Sequence, residues 1–363
     1  MVESVRRQLL WVVLAVSCGL AAGSLACASK AAPAGPAPDG GQGSYATDCD
    51  VSAGEFPKAN CDASPRLCDS PPTCSVPASC GDPEKCLGVG DNTGKTKIAL
   101  RLRRLQVAAP ASLKTTLVQS QILNKAMDLK LPACGERGDG AFNWLMDVDL
   151  ATNRLVTGGA APADPSGAGG YCFVRTKLNG FDVAPIDVSL TRDAQGRYST
   201  TVVPALNVPI FVQGKRDNAI LLPLRDVTVR DITLSSGGNC LGAYRPGGLS
   251  DYLGCKENLT DCPKWQTGAS LGGYIRLADA DKVEIVDIGR TLCTVLTNRI
   301  GQGANATSCP KTAAGALDVQ GDYCSTTKSA GGCRDSFWLA ATLAASAAEL
   351  QANPTDPFCT AAP

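Results

Sequence analysis

Eighteen cysteines and not one histidine leave this chain few ways to fold and fewer ways to react. Sulfurs in such number are metal ligands, reduced thiols or disulfides. Spacing argues against metal: no two cysteines have only two residues between them, and the tightest gap leaves five, as between Cys68 and Cys74. That removes zinc ribbons, thioredoxin-like pairs and haem-attachment signatures, and the missing histidine removes the commonest partner ligand. Disulfides remain, and they persist in an oxidising compartment.

The N-terminus supplies a route to one. Met1–Arg7 ends in two positive charges, and residues 8–26 carry none. The apolar run Leu9–Val16 gives way to small residues such as Ser17, Gly19, Ala21 and Ser24. A charged start, a short apolar run and small residues before a processing point predict a secretory signal peptide over 1–26. The run is too diluted by small residues for a spanning helix. At its end, Ser24-Leu25-Ala26-Cys27 resembles a bacterial lipobox, in which the cysteine is diacylated and becomes the new N-terminus. Ser24 stands where leucine is usual, the same residues fit a plain A-x-A-like cut, and Cys18 is an earlier candidate. Parity favours lipid attachment at Cys27: acylating it and losing Cys18 with the leader leaves an even set of thiols. That set is Cys49, Cys61, Cys68, Cys74, Cys80, Cys86, Cys134, Cys172, Cys240, Cys255, Cys262, Cys293, Cys309, Cys324, Cys333 and Cys359.

Residues 27–48 form the lipidated cysteine and an Ala/Pro/Gly tether with almost nothing to bury. Residues 49–90 hold six cysteines in polar sequence, which predicts a small disulfide-rich module stapled by three bridges among themselves. Residues 91–300 are expected to form a β-rich domain, and 301–363 a disulfide-tied C-terminal loop and helix packing on it. The fold class expected is α+β, mainly β, with two or three helices and possibly a sandwich.

Strand periodicity is clear in places. In Lys97–Val107, Ile98, Leu100 and Leu102 alternate with Ala99, Arg101 and Arg103, which puts a basic row on the outer face, expected to be solvated. Phe142–Leu150 alternates too, with Asn143, Asp147 and Asp149 on the polar side. Asp147 and Asp149, about 7 Å apart along a strand, are a candidate carboxylate pair, although calcium would need more oxygens. Residues 159–170 read as a flexible loop. Ile186–Leu190, a turn at 193–196 and Tyr198–Val203 predict a hairpin. Further strands are expected at 210–212, 219–224 and 226–234, with a slip near Asp231. Helices are expected from Ser112 to about Asp128, after Asp279 or Asp281, and over the alanine-rich Phe337–Gln351. Asn258 and Asn305 head glycosylation-like triplets.

The long loop 237–268 carries Tyr244, Arg245, Tyr252, Lys264 and Trp265, residue types that recognition surfaces favour. These five are the contact-surface candidates; the alternative is that the rings pack beneath the loop. Without histidine, Ser-His-Asp and Cys-His catalysis are excluded. Gly88–Thr96 fails the phosphate-loop count and reads as a turn at 91–94. No catalytic residue, metal or cofactor is assigned. Without residues 1–26 the chain stays near neutral, so no nucleic-acid partner is expected.

The Ser24–Cys27 site, the tether and the 49–86 cysteine cluster together resemble the cysteine-rich lipoproteins of Gram-negative soil bacteria such as myxobacteria. The resemblance covers about a quarter of the chain. It implies outer-membrane attachment, since Ala28 rather than aspartate follows Cys27, and it implies no activity. The expected function is a non-catalytic envelope lipoprotein with a binding or structural role toward a glycan or protein. The alternative is an exported hydrolase using Asp/Glu carboxylates, for example on glycans.

Overall fold

The structure is a computed structural model and describes residues 50–61, 74–81, 85–115, 117–164, 166–211, 219–252, 254–257, 263–299 and 307–360. Cys27, the leader, the tether, Cys49, Cys68, Cys262, Asn258 and Asn305 lie outside the described residues. The protein is mainly β, with 43% strand against 13% helix.

Nine strands carry the fold: β1 Lys97–Ala109, β2 Trp144–Asp149, β3 Arg154–Pro162, β4 Ile186–Arg192, β5 Tyr198–Thr200, β6 Val203–Phe211, β7 Ala219–Arg230, β8 Ala269–Arg276 and β9 Ser336–Ala347. Their spatial order is β5-β4-β3-β2-β1-β9-β8-β7-β6, and every pairing along it is antiparallel. Chain neighbours are therefore space neighbours, and the first strand closes against the last. The two ends of this order, β5 and β6, are consecutive in sequence with only Thr201 and Val202 between them. One bent segment thus pairs with β4 through its first half and β7 through its second. Tyr198 also bridges Ile232 just past β7, through amides at 3.0 and 2.8 Å. A single sheet curls until it is nearly closed, in place of two stacked sheets. Closure spares the sheet a long unpaired edge.

The interior is solid. Leu100, Met146, Val148, Leu155, Leu190, Tyr198 and Leu241 meet around a residual void of about 10 Å³. Ile98, Leu206, Val208, Ile210, Leu224, Leu339 and Leu343 belong to the same core. Side chains fill a barrel of this strand number.

Outside, the two sides differ. Strand β4 keeps the alternation of a half-solvated strand. Strands β1 and β9 are buried on both faces, because a second layer of irregular chain lies over them. The Trp338 indole donates to the Glu55 carbonyl at 2.7 Å and the Ser270 hydroxyl to the Pro57 carbonyl at 2.5 Å. The Val89 amide donates to the Ala347 carbonyl at 3.0 Å. The Phe56 ring lies so close over β8 that a Cβ on Gly272 would stand 2.6 Å from it.

The bridges hold this layer down. Cys74, Cys80 and Cys86 bond to Cys255, Cys134 and Cys240, so these three cysteines of the 49–90 segment pair outward and not with one another. Polar sequence without a core of its own is here restrained by the domain it covers. Cys172–Cys359, Cys293–Cys309 and Cys324–Cys333 complete the pairs seen, and Cys61 is also disulfide-bonded.

Three expectations change. The alanine-rich segment is strand β9, not a helix: Leu339, Ala341, Leu343 and Ala345 face the interior, while Trp338, Ala340, Thr342, Ala344 and Ser346 face the covering layer. Small residues suit a strand sandwiched between two packed layers, and that context overrides alanine's helix propensity. Of the helix expected after Asp279 or Asp281 only Leu292–Leu296 is α-helical; Glu284–Ile285 and Arg290–Thr291 pair as short strands around a 3-10 turn at Val286–Ile288, as the β-branched residues there allow. Residues 159–162 continue β3 instead of opening a loop. The helix expected from Ser112 is present as a π-helical segment, Leu117–Asn124, and a short α turn, Lys125–Met127.

Ala344 tests the β9 assignment. It is fully buried beneath the covering layer, so Ala344→Leu is expected to overpack and destabilise by about 1–3 kcal/mol in urea unfolding. On an exposed helix face the same change would be nearly neutral.

Candidate functional site

The most unusual chemistry lies on the outer face of β1, under the covering layer. The register of β1 against β9 slips between Leu102 and Arg104. Leu102 and Leu105 both serve the interior, so Arg101, Arg103 and Arg104 all turn outward. A bulge does this by inserting one extra residue in one strand. The expectation of a solvated basic row is overturned: the three arginines are 0%, 3% and 5% exposed.

Each buried guanidinium has partners. Arg101 Nε donates to Asn143 Oδ1 at 2.6 Å and Nη2 to the Met127 carbonyl at 2.7 Å, and the group lies 5.7 Å from the centre of the Tyr171 ring. Arg103 pairs with Glu136 and lies 5.2 Å from the centre of the Trp265 ring. Arg104 pairs with Glu257 at 3.2 Å. Fully buried Lys264 joins them, donating to both oxygens of Asp128 at 2.8 Å and standing 3.7 Å from Glu136. The Arg103 Nε and Nη1, the Tyr244 hydroxyl and the Trp265 indole nitrogen find no hydrogen-bond acceptor or donor among the described residues.

Protonation follows from this crowding. Burial alone would push the Lys264 ammonium down, but Asp128, Glu136 and Glu257 outweigh it and hold the group above the ordinary lysine value. Burial pushes the Asp128 carboxyl up to about 6 against the pull of Lys264, with Glu136 and Glu257 adding to the push. Burial would raise Glu136 too, yet Arg103, Lys264 and Arg101 keep it below the usual carboxylate range. Burial raises the Tyr244 phenol to about 12.

The expected contact surface is not assembled on the outside. Tyr244, Lys264 and Trp265 are buried, at 5%, 0% and 1% exposure. The two rings pack with centroids 5.2 Å apart, in a ladder that pairs Tyr244 with Trp265. Arg245 is half-buried and donates to Gln266. Tyr252 faces solvent, at 84% exposure. The loop is not free to present its rings, because Cys86–Cys240 and Cys74–Cys255 tie it to the covering segment. Of the carboxylate pair, Asp147 meets Lys97 at 3.2 Å, while Asp149 accepts the Ala151 and Thr152 amides and closes a turn. The two acids are engaged separately. The groupings Cys74/Asp251/Cys255, Asp281/Cys293/Cys309 and Cys324/Cys333/Asp335 bring potential ligand atoms together, but in each the two sulfurs are bonded to one another and offer no thiolate.

A second feature is open. At the mouth of the barrel where β1 ends and β9 begins, a groove of about 440 Å³ runs between residues 110–115, 296–299, 319–322 and Phe337. Burial pushes the Asp322 carboxyl up, and its Oδ1 accepts the Trp338 amide at 2.8 Å. Sequence reasoning missed this groove, since its walls come from four separate segments.

No protein-family model matches the chain, and neither a curated protein nor a solved structure matches it significantly.

Lys264→Met leaves half-buried Asp128 and buried Glu136 without their shared cation, and the expected cost is about 3 kcal/mol. Freed of Lys264, Asp128 escapes part of that penalty by taking up a proton, so the loss measured by urea unfolding is expected to be smaller at pH 5 than at pH 8.

Proposed function

We propose that this chain is a cell-envelope lipoprotein with a binding or structural role, exported by its leader, anchored to the outer membrane through Cys27, and not a catalyst. The observation that carries the reading is the pattern of bridges. Six disulfides between described residues join segments as far apart as Cys74 and Cys255 or Cys172 and Cys359, and such bonds belong to an oxidising space. A stapled covering layer over a filled barrel suits a protein that must keep its shape outside the cytoplasm.

The buried carboxylates support the non-catalytic part. Asp128 and Glu136 hold Lys264 and Arg103. Asp279 gathers Arg225, Arg276 and Lys282 at 3.1, 2.8 and 3.6 Å. These acids tie elements together, whereas glycoside hydrolysis requires two of them facing one substrate.

Intact-mass measurement of the protein purified from its membrane fraction tests the proposal. The expected product begins at Cys27, carries acyl chains, and gains two hydrogens per bridge on reduction. A cytosolic product with its leader intact and its thiols titratable would overturn it.

A further inference from the structure

The groove at the barrel mouth has the volume of a ligand site, within the usual range of roughly 300–1,000 Å³. Its apolar lining is Leu296, Val319 and Phe337, and its polar lining includes Ser112, Asn298, Gln320 and Asp322. Half-buried Arg299 lines the groove and has no ion pair among the described residues. Elsewhere on the surface, Arg154 and Arg197 meet carboxylates at 2.6 and 2.8 Å.

This combination selects a ligand chemistry. An apolar floor with an aromatic ring suits the C–H face of a sugar. Hydroxyl, amide and carboxyl side chains around it match the outward hydroxyls of such a ring, each of which both donates and accepts. An unpaired guanidinium favours a carboxylate, which it can hold through two parallel hydrogen bonds. We propose that the groove binds an acidic sugar residue of an envelope glycan, with Phe337 beneath the ring and Arg299 paired with the sugar carboxylate. This rests on the binding role proposed above. A peptide carboxylate would also satisfy Arg299. A sugar is favoured because the groove offers side-chain hydroxyl and amide groups on several sides at once.

The test is calorimetric titration of the full mature protein, oxidised and in detergent, with three probes: a glucuronate-containing disaccharide, its neutral glucose counterpart, and an acidic dipeptide. The acidic sugar is expected to bind best, about tenfold or more ahead of the neutral one. Arg299→Gln should abolish that preference while neutral-sugar binding and the melting temperature stay unchanged. Equal binding of the two sugars, a preference that survives Arg299→Gln, stronger binding of the dipeptide, or no sugar binding at millimolar concentration would each overturn the inference. Failure here in a membrane-anchored, oxidised protein leaves the envelope reading standing. A cytosolic, reduced protein removes that reading whatever the groove binds.

Discussion

Three arginines on one strand set the terms for the rest of the molecule. Taking an ion out of water costs several kcal/mol even after relaxation, and only close, well-placed partners recover it. Arg101, Arg103 and Arg104 therefore require acceptors and carboxylates fixed directly above β1. The carboxylates come from Glu136 and Glu257, which lie on irregular chain outside the barrel strands. Cys134 stands two residues before Glu136, and Cys255 two residues before Glu257. Each acid is thus delivered by a loop with a disulfide close by, which limits how far the loop can drift from its cation. The charge network and the bridges act as one device, aligning the covering layer on the sheet.

Strand β9 makes that device possible. Its alanines and serines let the covering layer come to backbone contact, as the Val89 and Ala347 bond shows. A row of large side chains on its outer face would lift the layer and admit water to the ion pairs. Strand β4, on the far side, lacks that second layer and alternates in the ordinary way.

Much of the barrel was legible in the sequence, since β1, β2, β4 and β7 alternate where one face meets solvent or polar chain. The end of regular pairing at Asp231 was legible as well: β7 stops at Arg230, and Asp231 takes a positive φ of 56°. Strand β9 was not, because burial on both faces removes the contrast that alternation depends on. The doublet Arg103-Arg104 did carry a signal, a break in an otherwise strict period of two, and a bulge is what such a break means. The fate of Tyr244, Lys264 and Trp265 was beyond reach, since composition cannot distinguish a ring offered to a partner from one tucked under its own loop. Disulfide pairing and the four-walled groove depend on tertiary proximity that no local pattern encodes.

The pairing of the first barrel strand with the last has a kinetic side. Leu100 lies opposite Ala347, so almost the whole domain must be synthesised before β1 meets β9. Contacts of such long sequence separation form slowly. Until they do, a strand bearing three arginines and an apolar face waits in the open. A chain built this way is more exposed to aggregation in its newborn form than as the finished barrel.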